Sequence, residues 1–476
     1  MNYGLRWEIY FPQSVTGKDK GGFLDLDTGK VRVAGENGWG LNFKVQNSLT
    51  NWAPRLGLAY SLTDRTVIRA GYGRSFDIGV FGSVFGHSVT QNLPVLAVQQ
   101  VNSAVGGDFA SAFLLDSGPP APVFPAVDST GQITLPDGIF QRALHKRMQL
   151  PTVDAWNLTV QHQITKTMSG EIAYVGNKGT HGFAGNGPAY NINQATVVGF
   201  PTLSNNARKK FFPLYGWTQG IDYFGNDASN NYHGLQTKLE KRFANGIQFL
   251  THYTWSEAFG YDGDYYPIDP KVNHGPNDLN RRHVFVFTSL MELPYGRGKK
   301  YGSDANRVVD AILGGWQLNT VLNISSGLPF SPSYGECGND RDTGPCRPDR
   351  SGSFHMGTGD LNAATHSVTY FTPVAALATN GASAGGWTRP AIATFGTAGR
   401  NSLRGPGFWN ADMSLFKHFR VTERVDSQFR INAFNVFNHR NNGNPGNTCI
   451  DCTGAGQITS LAAPMRQLEF GIRLDF

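Results

Sequence analysis

Charge is scarce in this sequence. Acidic and basic residues fill 16% of 476 positions, against about 25% in ordinary soluble domains. The net charge of +6 is thinly spread, and no run of five or six Lys or Arg occurs, which argues against a nucleic-acid partner. Nowhere does the chain reach the roughly 18 consecutive apolar residues of a membrane-crossing helix. The opening MNYGLRWEIYFPQ lacks the basic, apolar and small-residue regions of a secretory signal. Tyr3, Leu5, Trp7 and Ile9 alternate there with Gly4, Arg6 and Glu8, so the chain opens in a strand and reads as part of something longer.

Catalytic signatures are missing as well. There is no HExxH, GxSxG or GxxxxGK[ST]. Gly71-Tyr72-Gly73 begins a GxGxxG pattern but lacks the third glycine and sits between strands. His252 and His283 fall within predicted strands, as satisfied or lumen-facing imidazoles. Asp340, Asp342 and Gly344 form a D-x-D-x-G fragment without the other ligands of a calcium loop, so they read as solvated loop residues. Gly296-Arg297-Gly298-Lys299-Lys300 reads as a solvated turn, with contact to anionic headgroups as the alternative. The expectation is a protein that is not an enzyme and uses no cofactor or metal.

Cysteine is limited to four residues in two tight pairs. Cys337 and Cys346 enclose eight residues, and Cys449 and Cys452 enclose two. Two local bridges are the economical pairing and imply an oxidising compartment. A zinc half-site or a redox pair at Cys449 and Cys452 would need a second ligand pair or a βαβ setting, and the sequence offers neither.

Glycine and aromatics, by contrast, are abundant. Gly occurs 58 times, and aromatics make up 12% of the chain. About twelve segments alternate apolar and polar residues with period two, near 2–10, 52–62, 65–76, 153–165, 168–177, 231–243, 246–258, 282–293, 314–326, 407–420, 424–437 and 466–476. Tight turns join some of them, at Thr63–Asp64, Thr165–Thr167, Ala244–Gly246 and about Val421–Glu423. Alternating with these are gaps of roughly 41, 76, 53, 23, 80 and 28 residues. Only the connection at about 294–313 breaks the short class. One end of a meander therefore carries tight turns and the other carries long loops.

That polarity belongs to outer-membrane barrels, with apolar side chains toward lipid and polar ones toward the lumen. Trp7, Tyr10, Trp52, Trp156, Trp255, Trp316 and Trp409 near strand ends fit interfacial girdles, core packing being the other reading of each. The predicted fold is all-β, an antiparallel up-and-down outer-membrane β-barrel with long extracellular loops and short periplasmic turns. Both cysteine pairs fall in long loops and so lie outside the cell. The backbone demands that the sheet close, within one chain or with other material. Tyr261, Tyr265 and Tyr266 at strand tops are candidates for ligand contact, with interfacial anchoring as the alternative.

Several runs carry a resemblance: NWAPRLGLAYSLTDRTVIRAGYGRSFD, WNLTVQHQITKTMSGEIAYVGNKGTH, NYHGLQTKLEKRFANGIQFLTHYTWS, DLNRRHVFVFTSLMELPYGRGK, ILGGWQLNTVLNISSGLPF, the run GRNSLRGPGFWNADMSLFKHFRVTERVDSQFRINAFNVFNH and RQLEFGIRLDF. In order, from about residue 51 to 476, they resemble the C-terminal barrel of Oar-like TonB-dependent receptors. Leu468, Phe470, Ile472, Leu474 and the terminal Phe476 resemble the signal read by the barrel-assembly machinery. Membership implies ligand capture by extracellular loops and passage through a plugged barrel, energised through TonB, ExbB and ExbD. The family's signal peptide, regulatory-like β-domain, TonB box and plug have no counterpart in residues 1–476. The family barrel has about 22 strands, so the twelve read as its C-terminal portion, and without a plug this stretch alone should not perform energised transport. Two other functions stay open, a passive pore and a secreted β-rich adhesion or filament protein.

Overall fold

The computed structural model describes residues 1–77, 81–99, 101, 111–121, 124–147, 149–185, 189–261, 265–338, 343–420 and 426–475. Twelve long strands form one antiparallel sheet. They are β1 Asn2–Trp7, β2 Trp52–Thr63, β3 Thr66–Phe76, β4 Thr152–Gln163, β5 Met168–Gly182 and β6 Ala228–Ala244. The second half comprises β7 Ile247–Gly260, β8 His283–Glu292, β9 Trp316–Ser325, β10 Phe408–Arg420, β11 Asp426–Phe434 and β12 Gln467–Asp475. Each pairs only with its neighbours in sequence, so the sheet is an up-and-down meander running unbroken from β1 to β12. Among the described residues the path is open, and β1 does not pair with β12.

Register shows what the alternation does. One row across nine strands reads Tyr60, Ile68, Val160, Ile172, Thr237, Tyr253, Phe285, Ile324 and Trp409. The next row, on the opposite face, reads Ser61, Val67, Gln161, Glu171, Lys238, His252, Val286, Asn323 and Asn410. The first face is apolar and unpacked: Leu158 and Ile172 are each 50% exposed, and Ile472 is 73% exposed. Apolar side chains of a water-soluble sheet meet a second layer, and these do not.

The turns at the lower rim follow from local chemistry. Asn245 and Gly246 both take positive φ, 56° and 78°, the backbone that a two-residue hairpin between β6 and β7 requires. The β8–β9 connection is longer because it contains a short helix, α3, numbered after α1 Phe81–Thr90 and α2 Phe212–Tyr215 and spanning Arg307–Leu313. The turn predicted near Val421–Glu423 lies outside the described residues.

The packed core lies above the sheet, in the long connections. Trp217, Trp387, Tyr266, Phe23 and Phe43 are among the largest fully buried side chains, and none sits on a long strand. One loop unit draws on residues from Leu24 to Tyr223 around Val31, Ile133, Ile139, Phe211, Trp217 and Ile221. A second draws on residues from Phe330 to Ile458 around Phe371, Trp387 and Ile450. Short strands brace the first unit, where Ile221–Phe224 runs parallel to Ile139–Leu144 and antiparallel to Tyr190–Asn191. The disulfides Cys337–Cys346 and Cys449–Cys452, with Cα separations of 5.5 and 5.4 Å, both pack on the second unit.

Candidate functional site

Pairing of Tyr190 with Tyr223 in the short loop sheet starts an aromatic cluster at the base of the first loop unit. Their rings meet edge to face at 5.6 Å, and Tyr265 lies against Tyr190 at 4.7 Å. Tyr261 meets Tyr265 at 5.0 Å and His274 at 5.1 Å. The parallel partner strand ends at Leu144, which places His145 next to Tyr223, with Nδ1 3.0 Å from the phenol oxygen. Asp227, just before β6, accepts a 2.6 Å hydrogen bond from the Tyr190 hydroxyl, and its other oxygen lies 3.7 Å from His145 Nε2.

Tyr190, Tyr223, Tyr265 and Asp227 border a cavity of about 680 Å³ lined also by Ile192, Arg208, Lys210 and Ile268. Arg208 is fixed over the Phe200 ring at 5.3 Å and donates to the Thr196 carbonyl at 2.6 Å. One wall is thus flat and phenolic, another is cationic, and among the described residues one carboxylate faces them.

Burial tunes the wall. It pushes the Tyr190 and Tyr223 phenols well above their ordinary value, helped at Tyr190 by the hydrogen bond to Asp227. Burial likewise lifts Tyr265 to about 12. At Asp227 burial acts upward, but the neighbouring His145 imidazole and the hydrogen bond from Tyr190 outweigh it and hold the carboxyl below the usual range. The cavity therefore presents neutral phenols and an ionised carboxylate at neutral pH. Ring faces with polar edges hold a small molecule by stacking and hydrogen bonds.

The residues singled out from sequence are placed as follows. Tyr265 lines the cavity and Tyr261 supports it. Tyr266 is neither a ligand contact nor a membrane anchor: it is 1% exposed, packs on Phe395 at 5.2 Å and donates to the Ala195 carbonyl at 3.4 Å. It pins the two loop units together, because the residue after Tyr265 points to the opposite side of the chain. Sequence reasoning missed His145, Tyr190, Tyr223 and Asp227; they come together only through strand pairs of two to four residues, too short to carry a period.

Trp7, Trp52, Trp156, Trp255 and Trp409 lie toward the loop ends of their strands, and Trp316 lies at the opposite rim. Tyr10 departs from the girdle, having left β1 and turned its hydroxyl onto Glu8. His283 bonds to the Tyr253 hydroxyl at 2.9 Å on the apolar face, while His252 lies on the polar one. Leu468, Phe470, Ile472 and Leu474 project exposed from β12, and Phe476 lies outside the described residues. Asp340 and Asp342 lie outside them too. Among the described residues, Cys449, Asp451 and Cys452 alone cluster closely enough to suggest a metal, and their two sulfurs are joined to each other.

A profile of the outer membrane beta barrel domain family matches residues 1–469. The chain belongs to that family. It resides in the outer membrane, which explains the exposed apolar face and sets aside the secreted adhesion reading. Several solved structures are similar. The ferric enterobactin receptor PfeA of Pseudomonas aeruginosa, a variant in complex with enterobactin, aligns with 91% of this chain and 41% of its own at 11% identity and TM-score 0.42. The outer membrane transporter YddB of Escherichia coli aligns with 89% of this chain and 40% of its own at 9% identity and TM-score 0.41. BauA, the ferric preacinetobactin receptor of Acinetobacter baumannii, aligns with 90% and 37% at 11% identity and TM-score 0.40. The chain thus spans less than half the length of these proteins. No curated protein matches it.

Proposed function

We propose that residues 1–476 form the C-terminal portion of the β-barrel of an Oar-like TonB-dependent receptor, which binds a small ligand through its extracellular loops and moves it across the outer membrane of a Gram-negative bacterium. The observation that carries ligand capture is the aromatic cavity walled by Tyr190, Tyr223 and Tyr265 with Asp227 and Arg208, set in the loop layer at one rim. The wall suits a ligand with a flat face and hydrogen-bonding edges. The role is non-enzymatic. Coupling to TonB and insertion by the barrel-assembly machinery are proposed on the sequence resemblance.

The test is calorimetric titration of the purified chain in detergent with aromatic metal chelates, oligosaccharides and short peptides. A ligand held at this cavity loses about tenfold or more in affinity in Tyr265→Ala, a change of roughly 1.4 kcal/mol. A tight ligand indifferent to both Tyr265→Ala and Asp227→Asn removes the cavity from the account. Uptake of that ligand that persists in cells lacking TonB, together with steady conductance of the chain in planar bilayers, supports the passive pore instead.

A further inference from the structure

Among the described residues, the connection from β8 to β9 is the one lower-rim link with a fold of its own. Its helix α3 is capped by Asn306, whose side-chain oxygen accepts from the Val308 and Val309 amides at 3.1 and 2.9 Å. Asp310 faces inward and accepts from the Arg297 amide at 2.6 Å. With that side turned in, Val308, Val309, Ile312 and Leu313 share the outward face, and Val308 and Ile312 are 69% and 61% exposed. Beside them Tyr295 and Tyr301 are also exposed, with their rings 5.5 Å apart. A capped helix that turns every large apolar side chain outward is unexplained in water.

Its position supplies the reason. The Trp316 indole donates to the Ile312 carbonyl at 2.8 Å, and Trp316 pairs with Lys417 on the same sheet face as Leu318, Leu415 and Ile431. That is the apolar face toward lipid, so the exposed side of α3 continues it at the rim of tight turns. Two exposed cations flank it, Lys300 over Tyr301 at 5.3 Å and Arg307 at the helix start, while Lys417 is buried with its ammonium donating to the Gly314 carbonyl.

We infer that this link is an interfacial foot. Its apolar residues sit at the headgroup boundary of the periplasmic leaflet, and its basic residues take anionic phospholipid headgroups. The inference rests on outer-membrane residence and is independent of what the loops bind.

The full chain with Ile312→Cys, labelled with an environment-sensitive fluorophore and reconstituted in 3:1 phosphatidylethanolamine–phosphatidylglycerol vesicles, tests the first half. Its emission should shift to the blue, be quenched by a nitroxide near the lipid headgroup and resist aqueous iodide, whereas Ser303→Cys stays open to iodide. Val308→Cys serves as a second site if the first label disturbs folding. Equal iodide quenching at the helix positions and at Ser303 overturns the foot and points to a water-exposed surface. For the charges, native mass spectrometry should show phosphatidylglycerol retained over phosphatidylcholine. Lys300→Gln with Arg307→Gln should cut that preference about fivefold per charge, the equivalent of about 1 kcal/mol each. An unchanged preference overturns the headgroup assignment.

Discussion

Replacing Trp217 with alanine separates the two materials of which this protein is made. Trp217 is fully buried among Tyr215 at 4.6 Å and Phe211 at 5.7 Å. Its indole donates to the Leu135 carbonyl at 3.0 Å. Truncating a buried Trp to Ala costs about 3–5 kcal/mol, and the orphaned carbonyl adds about 1 kcal/mol. A loss of at least about 4 kcal/mol raises the open population of the loop unit roughly a thousandfold or more. Trp217→Phe keeps a ring and loses the hydrogen bond, costing about 1–2 kcal/mol. The assay is hydrogen exchange of the detergent-solubilised chain, followed in peptides covering 132–144 and 211–224 and, separately, β4 to β7. The loop peptides should lose protection in that order of magnitude while the strands keep theirs. If strands and loops lose protection together, the layer is not an independent unit. Unchanged loop protection would mean that Trp217 does not hold it closed.

Other outcomes follow from the same layer. Mass spectrometry of unreduced peptides should link Cys337 to Cys346 and Cys449 to Cys452, and opening the first bridge with paired serines should loosen only the second loop unit, by about 2–3 kcal/mol; four free thiols would contradict the extracellular placement. Because burial raises Tyr190, Tyr223 and Tyr265, the aromatic cluster contributes stability below about pH 10, the unfolded tyrosine value, and loses it as pH rises further. Absorbance at an alkaline tyrosinate wavelength should therefore rise in two stages, the later one reduced in Tyr265→Phe. Asp227, held below its ordinary value, contributes stability above about pH 4 that disappears as pH falls, which acid-dependent proteolysis of the first loop unit can follow.

The strands were legible because a lipid-facing sheet imposes period two on long stretches. Val160 and Ile172 alternate with Gln161 and Ala173 for a reason that no loop packing can override. Errors cluster where that reason fades. The alternation ends at 177, yet β5 continues to Gly182, through a stretch with few side chains and a register shift between Gly179 and Gly182. Just before it the Trp156 indole lies across Gly176, where a Cβ would come within 2.6 Å of the ring, so glycine there is a packing requirement that periodicity cannot express. β1 stops at Trp7, earlier than its alternation suggests: the Glu8 amide still reaches the Asn51 carbonyl at 3.0 Å, one step past the Trp7–Trp52 pair, but beyond it the chain leaves the sheet and Tyr10 turns its hydroxyl onto Glu8. The loop cores were hidden for another reason. Their partners, such as His145 with Tyr223 or Trp217 with Leu135, are about 80 residues apart and meet on or just beyond strands too short to show a pattern. Tyr265 and Tyr266, alike in sequence, differ only in which side of the turning chain each occupies.

A nitroxide scan of β4 bears most directly on the whole account. Single spin labels at Leu158 and Val160, in the chain reconstituted in lipid, should be relaxed strongly by oxygen and weakly by a nickel chelate, and labels at Thr159 and Gln161 should show the reverse. A scan with no alternation, or with oxygen favouring Thr159 and Gln161, would mean that the apolar rows do not face the bilayer.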